Sequence, residues 1–154
     1  MTLRYSFDTS AWIGAWYRRL PHDVVPSFWR NVEGLIAREE VGSIDEVQRE
    51  LEHKSDPLLA WAKNQSGLMH PITPDVWTRA RQIVRAHAAL TPTTGRNVAD
   101  PYVIALAQLH GATVVTEEEP AKKASAVKIP DVCKALGVNW LSVYDFVRAE
   151  GWSF

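Results

Sequence analysis

The chain has few features that would direct it to a membrane or to an oxidising compartment. Its 154 residues include one cysteine, Cys133, which excludes an internal disulfide and is expected to be a small packed residue among apolar neighbours. No apolar run reaches the roughly 20 residues that span a bilayer. The apolar opening is also too short for a signal peptide. We therefore expect a cytoplasmic protein with no membrane partner.

The chain also lacks an excess of charge of either sign. It has 17 Lys and Arg against 18 Asp and Glu, a formal net charge of -1. Near-zero net charge gives no global argument for or against nucleic acid. The five histidines and one cysteine do not show the spacing of a zinc site. A composition of 46% hydrophobic and 23% charged residues predicts a single folded domain over residues 1–154.

Short strand-like and longer helix-like segments alternate along the sequence. Strands are predicted at residues 3–7, 41–43 and 113–116, and residues 138–140 lie between the last two predicted helices. Helices are predicted from residues 9 and 26 onward and at about 44–54, 58–62, 73–89, 100–110, 131–136 and 142–150. Residues 91–95 and 117–126 read as loops. This alternation predicts an α/β fold with a parallel sheet.

Acidic residues follow or begin several of these elements. Asp8 follows the first strand, Asp100 begins a helix, and Glu117, Glu118 and Glu119 follow the strand at 113–116. Helix capping for Asp8 and Asp100, and solvated loop charge for the Glu run, are the simpler interpretations. Together, however, carboxylates at the carboxyl edge of a parallel sheet predict a ligand site. Their mutual repulsion favours a divalent cation, and their hard oxygens suit Mg²⁺ or Mn²⁺.

A further acid is expected from the third predicted helix. Glu46 and Glu50 lie four residues apart on one face of it. Either one of them faces the same strand tips, or both belong to an exposed face.

The chain resembles the PIN-domain ribonucleases, a family that includes the toxins of many bacterial and archaeal toxin–antitoxin pairs. The resemblance is carried by residues 5–10 (Tyr-Ser-Phe-Asp-Thr-Ser), by Glu50-Leu51, by residues 100–107 and by residues 111–118. The tail at residues 128–140 is similar to an uncharacterised bacterial branch of the family. The order and spacing of these segments cover most of the chain.

The resemblance implies a fold, an activity and partners. The fold is a three-layer α/β/α sandwich around a short-stranded parallel sheet. The activity is a metal-dependent endoribonuclease in which acids bind Mg²⁺ or Mn²⁺ and water cleaves RNA. Asp8, Glu50 and Asp100 match the first three acids of the family. The implied partners are an RNA substrate, a small antitoxin protein and a second copy in a homodimer.

The fourth acid departs from the usual family pattern of Thr, any residue, then Asp or Asn. Here Thr116 is followed by Glu117 and Glu118, so Glu118 takes the matching position with a side chain one methylene longer. Thr116 is expected to hydrogen-bond either a ligand carboxylate or its own backbone. Glu117 stands where the family usually has a basic residue. The candidate substrate contacts are Ser10, Lys122 and Lys123.

Other interpretations of the sequence stay open. A phosphotransfer domain with Asp8 as nucleophile would have a second Asp two residues on, where this chain has Ser10. A catalytically inactive PIN-like module that binds RNA or protein is permitted by Glu118. The arginines at 79, 81 and 85 suit a solvated helix face better than phosphate binding. Core packing is preferred over base stacking for five tryptophans, Trp12, Trp16, Trp29, Trp61 and Trp77.

Overall fold

The computed structural model describes residues 2–88, 98–123 and 127–154. The predicted loop at 91–95 and residues 124–126 of the second predicted loop lie outside these ranges. Within them, every pairing between neighbouring strands is parallel, in the spatial order β3-β2-β1-β4-β5. The strands are β1 (Tyr5–Phe7), β2 (Val41–Ile44), β3 (Met69–His70), β4 (Thr113–Val115) and β5 (Trp140–Leu141).

The described helices connect these strands and cover the sheet. They are α1 (Thr9–Gly14), which continues as a π-helical turn (Ala15–Arg19), α2 (Pro26–Ala37), α3 (Asp45–Glu52), α4 (Asp56–Lys63), α5 (Pro74–Ala86), α6 (Asp100–His110), α7 (Ile129–Leu136) and α8 (Val143–Ala149). In the described part of the chain, no helix has the length and apolar character needed to cross a bilayer.

Side-chain alternation along β1 shows how the layers are arranged. Phe7 stacks on Trp12 of α1 at 4.2 Å and meets Phe146 of α8 edge to face at 5.0 Å. Ser6 points to the opposite face, where its hydroxyl donates to the carbonyl of Val103 in α6 at 3.0 Å. Successive residues of a strand face opposite sides, so α1 and α8 cover one face and α6 covers the other. The predicted three-layer α/β/α sandwich is confirmed.

Tryptophans fill one of these two interfaces. Trp12, Trp29 and Trp61 are buried, Trp16 packs against them, and the indole N–H of Trp12 donates to the Ser43 hydroxyl at 2.8 Å. The prediction that the tryptophans pack in the core is therefore confirmed for these four residues. It is wrong for Trp77, which is 50% exposed on α5.

Helix boundaries follow local signals in most places. The Thr73 hydroxyl accepts from the Val76 N–H at 3.3 Å and begins α5, and Gly111 ends α6 at φ 64. α5 ends three residues before its predicted end. α7 begins at Ile129, earlier than predicted, because Pro130 suits a first turn and the Asp131 carboxylate accepts from the Lys128 N–H at 2.8 Å. Strand β3 was not predicted, since two residues show no periodicity.

The strand order places a topological switch point at the centre of the sheet. From β1 the chain moves to β2 and β3 on one side and later returns to β4 and β5 on the other. The carboxyl ends of β1 and β4 therefore border the crevice where open α/β sheets bind ligands. Asp8 follows β1 and Thr116 follows β4, and the Asp8 N–H donates to the Val115 carbonyl at 3.0 Å. The sheet thus sets these two residues side by side.

Candidate functional site

Asp8 lies at the centre of the crevice and is 2% exposed. Its carboxylate accepts from the Thr116 hydroxyl at 2.5 Å and from the Ser10 hydroxyl at 2.8 and 2.9 Å. It also accepts from the Ala11 N–H at 2.7 Å, so it caps α1. The helix-cap interpretation of Asp8 is therefore confirmed, and the same carboxylate follows β1 at the switch point of the sheet, where the ligand-site interpretation stays a prediction. These bonds fix its orientation.

Glu50 of α3 joins the segments that carry the two buried aspartates. One oxygen accepts from the Thr9 hydroxyl at 2.5 Å, and the other accepts from the Ala99 N–H at 3.3 Å. Thr9 directly follows Asp8, and Ala99 directly precedes Asp100. Glu50 is therefore brought to the crevice. Its alternative, Glu46, forms an ion pair with Arg49 one turn along α3.

Asp100 is the first residue of α6 and is 6% exposed. The cap position of this helix belongs to Ala99, so Asp100 is not the N-cap that its local sequence suggested. Burial raises the pKa of Asp100 to about 9, and the charges of Glu118, Asp8 and Glu50 add to the effect. The influence of these three carboxylates shows that the predicted acids share one electrostatic environment.

Glu118 and Glu117 point to different places although they are adjacent. The Glu118 N–H donates to the Thr116 hydroxyl at 3.1 Å, and its carboxylate accepts from the Ile129 N–H at 3.3 Å. Burial raises the pKa of Glu118. Glu117 instead accepts from the Arg19 side chain at 2.9 Å and from the Val143 N–H at 3.3 Å. The structure therefore brings Glu118 to the acidic crevice and ties Glu117 to the helix layer of α8.

Burial opposes the ionisation of the acids in the site, and nearby positive charge does not offset this effect. Burial raises the pKa of Asp8 to about 7 even though hydrogen bonds from Thr116, Ala11 and Ser10 oppose the shift. Ser10, a predicted substrate contact, uses its hydroxyl within the protein, since it also accepts from the Glu117 N–H at 3.1 Å. An ionised cluster of this kind calls for positive charge from a ligand.

Basic residues line an open cleft beside the acids. Lys122, Lys123 and Lys128 line a cavity of about 500 Å³ whose wall includes Glu118. The charge of Lys128 lowers the pKa values of Asp100 and Glu118, against the larger effect of burial. Sequence reasoning missed Lys128. Its position two residues before the Pro130 helix start was the available signal, because that places it at the entry to α7.

The carboxylate oxygens suit a hard divalent cation in chemical terms. In residues 2–88, 98–123 and 127–154, however, no three His, Cys, Asp or Glu side chains are already arranged as a metal-binding group. Asp8 and Glu50 direct oxygens to hydroxyl and N–H groups of their own neighbours. The donor chemistry therefore fits Mg²⁺ or Mn²⁺, and an incoming ion would replace some of these hydrogen bonds.

The fold and the site define a class: a parallel α/β/α protein with an acidic cluster at the switch point of its sheet. The chain belongs to the family described as a domain of unknown function (DUF4411), whose model matches residues 5–154. Among curated proteins, none matches. One similar solved structure is that of PAE2754 from Pyrobaculum aerophilum, at 14% identity and a TM-score of 0.42, covering 89% of this chain and 98% of that one. A likeness this weak supports no argument about activity.

Proposed function

We propose that the protein is a metal-dependent endoribonuclease that hydrolyses RNA phosphodiester bonds at the acidic crevice. The observation that carries the proposal is the convergence of Asp8, Glu50, Asp100 and Glu118 at the carboxyl ends of β1 and β4. The sequence resemblance to PIN-domain ribonucleases supplies the substrate class, since the same four positions match that family's acids. An acidic crevice flanked by lysines suits a phosphodiester only if a cation stands between them.

The chain's own residues have distinct parts in this reaction. Asp8 and Asp100 are the inner carboxylates, and Glu50 and Glu118 complete the set that would hold Mg²⁺ or Mn²⁺. When bound, the ion would lower the pKa of water and stabilise the charge on the leaving oxygen. Thr116 orients Asp8 through its 2.5 Å hydrogen bond. Lys122, Lys123 and Lys128 would hold the phosphates of the strand beside the acids.

The direct test is cleavage of a panel of structured and single-stranded RNAs with Mn²⁺, Mg²⁺ or EDTA. Wild type should cleave with either metal and not with EDTA, and Asp100→Ala should not cleave under any condition. Glu150→Gln is a matched control, because Glu150 is a carboxylate at the opposite edge of the sheet. Cleavage that persists in EDTA or in Asp100→Ala would reject the proposal.

A catalytically inactive module that binds RNA or protein is the second candidate. It is favoured by the hydrogen bonds that occupy Asp8 and Glu50 and by the lack of a preassembled metal group in the described residues. RNA binding without metal-dependent cleavage on any RNA of the panel would select this candidate.

We further propose that the protein acts as the toxin of a toxin–antitoxin pair, with a small partner whose basic segment covers the acidic crevice. Expression of wild type should arrest growth, expression of Asp100→Ala should not, and a small reading frame overlapping the gene should restore growth. Arrest by both forms would contradict this role. The predicted homodimer and the predicted cytoplasmic location stay predictions.

A further inference from the structure

The exposed tryptophan on α5 is the starting observation. Trp77 is 50% exposed although the helix buries Val76, Ala80 and Ile83 on its inner face. The guanidinium of Arg81 lies over the indole, 5.2 Å from its centroid. A cation held over an aromatic face is attracted by the ring and restrains its orientation. The arrangement leaves a flat, rigid apolar surface available to a ligand.

Two arginines continue this surface along the helix. Trp77, Arg81 and Arg85 are spaced four residues apart and so form one strip, which we call the outer strip of α5. Arg81 and Arg85 are exposed. Among the described residues, no carboxylate lies within 4.0 Å of either guanidinium, since the ion pairs found involve other arginines. The strip therefore offers an aromatic ring and two uncompensated cations over about 12 Å of helix.

A small groove lies between the outer strip and the first turn of α6. Its cavity of about 220 Å³ is lined by Arg81 and Val84 of α5, by Val98, and by Pro101 and Tyr102 in the first turn of α6. Arg81 thus belongs both to the strip and to the groove. Pro101 directly follows Asp100 in the sequence, so one wall of the groove is the same first turn of α6 that carries Asp100.

We propose that the outer strip of α5 is a binding surface for single-stranded RNA, with a base stacked on Trp77 and phosphates held by Arg81 and Arg85. The inference rests on the proposed function, because the strand it holds is the proposed substrate. Stacking on an exposed aromatic ring together with positive charge along the backbone is the usual means of holding single strands. The exposed positive charge complements a polyanion, whereas a two-fold interface built on this strip would bring the arginines of two copies together.

The test measures RNA binding without cleavage, so that it does not depend on the nuclease activity. A short unstructured RNA labelled with fluorescein is titrated with protein in EDTA, and fluorescence anisotropy gives Kd. Trp77→Ala should raise Kd by roughly 5- to 150-fold, the range for loss of one stacked base. Trp77→Phe should recover much of the affinity, because it retains a ring. Arg81→Gln should also lower the slope of log K against log salt by about 0.7.

Matched controls separate the strip from general surface effects. Phe154→Ala removes another exposed aromatic ring, and Arg30→Gln removes another exposed arginine, both outside α5. Neither should change Kd. Circular dichroism should show that the Trp77 variants stay folded, since the side chain is not part of the core.

The outcomes that overturn the inference differ from those that overturn the nuclease proposal. An unchanged Kd in Trp77→Ala, or an equal loss in Phe154→Ala, would reject the RNA surface even if cleavage were observed. A change of oligomeric state in Trp77→Ala with unchanged RNA affinity would assign the strip to contact between copies. Trp77-dependent binding without any cleavage would support the surface and reject only the nuclease.

Discussion

The carboxylates near the two ends of the central strand β1 have pKa values shifted in opposite directions. At the amino end, the Glu150 side chain is 9% exposed and accepts from the Tyr5 hydroxyl and from the Arg4 guanidinium, each at 2.6 Å. Burial pushes the pKa of Glu150 upward, but the hydrogen bonds from Tyr5 and Arg4 outweigh it and the pKa is lowered. The carboxylate is therefore satisfied within the fold.

At the carboxyl end, Asp8 and Asp100 are more deeply buried, and neither forms an ion pair with any cation in the part of the chain that the structure describes. Burial raises their pKa values to about 7 and about 9. Stabilisation alone does not explain a cluster of acids that raise one another's pKa values, and strongly perturbed groups in a crevice are typical of functional sites. The amino end is thus a structural ion pair, whereas the carboxyl end is where we propose that a ligand binds.

The largest expected effect is on catalysis at the carboxyl end. Asp100→Asn should lower the cleavage rate by about 100-fold or more, because it removes one of the inner acids of the proposed site. The same change should keep or raise the stability of the metal-free protein, since it removes a source of repulsion. Cleavage assays and thermal unfolding in EDTA measure the two effects. Undiminished cleavage would remove Asp100 from the site.

The response to pH should have opposite signs at the two ends. Asp100 ionises near 3.8 in the unfolded chain and near 9 in the fold, so the folded state binds more protons between these values. The unfolding free energy of the metal-free protein should fall as pH rises from about 4 to about 9. Asp100→Asn should flatten this slope.

The lowered pKa of Glu150 works the other way. Its contribution to stability is present above its unfolded value of 4.5 and is lost as pH falls below it. Denaturant unfolding across this range measures both trends. An equal slope in wild type and Asp100→Asn would contradict the assigned burial of Asp100.

A smaller loss of cleavage is expected when the hydrogen bond from Thr116 to Asp8 is removed. Thr116→Val deletes the hydroxyl that donates to Asp8 at 2.5 Å and should reduce cleavage or Mn²⁺ affinity by about 10- to 100-fold. Thr116→Ser keeps the hydroxyl and is the matched control. If both variants behave like wild type, the hydrogen bond has no part in the reaction.

The smallest effect is expected at the amino end. Glu150→Gln should cost about 1–2 kcal/mol of unfolding free energy, because it weakens the short hydrogen bonds from Tyr5 and Arg4. The cost stays small because the Arg4 side chain is well exposed. Cleavage per folded molecule should stay unchanged. A loss of cleavage in this variant would contradict the assignment of a structural role to the amino end of β1 and a functional role to its carboxyl end.

The sequence predicted those parts of the site that follow from strand ends. Asp8 and Asp100 could be located because an acid after an apolar strand, or at the start of a helix, stands at a predictable edge of the sheet. Glu50 and Glu118 were chosen over Glu46 and Glu117 only through the resemblance to PIN-domain ribonucleases. The contacts that hold them, with the Ala99 and Ile129 N–H groups, are tertiary and no local pattern contains them.

The burial of individual side chains was predicted less well than the order of helices and strands. Trp77 has helical spacing like the core tryptophans, yet the register set by the Thr73 cap turns it outward and places Val76 inward. A two-residue strand such as β3 has no periodicity of its own and is defined only by its pairing with β2. Pro130 could have placed Lys128 at the entry to a helix, but the effect of its charge on Asp100 and Glu118 depends on tertiary structure.

Mn²⁺ binding, measured by isothermal titration calorimetry on wild type, Asp100→Asn and Glu150→Gln, tests the proposed cation site without depending on any RNA substrate. Wild type and Glu150→Gln should bind Mn²⁺, with a clear loss of affinity in Asp100→Asn. Absence of binding in wild type, or equal binding in all three proteins, would contradict the claim that the carboxyl end of β1 is a divalent cation site.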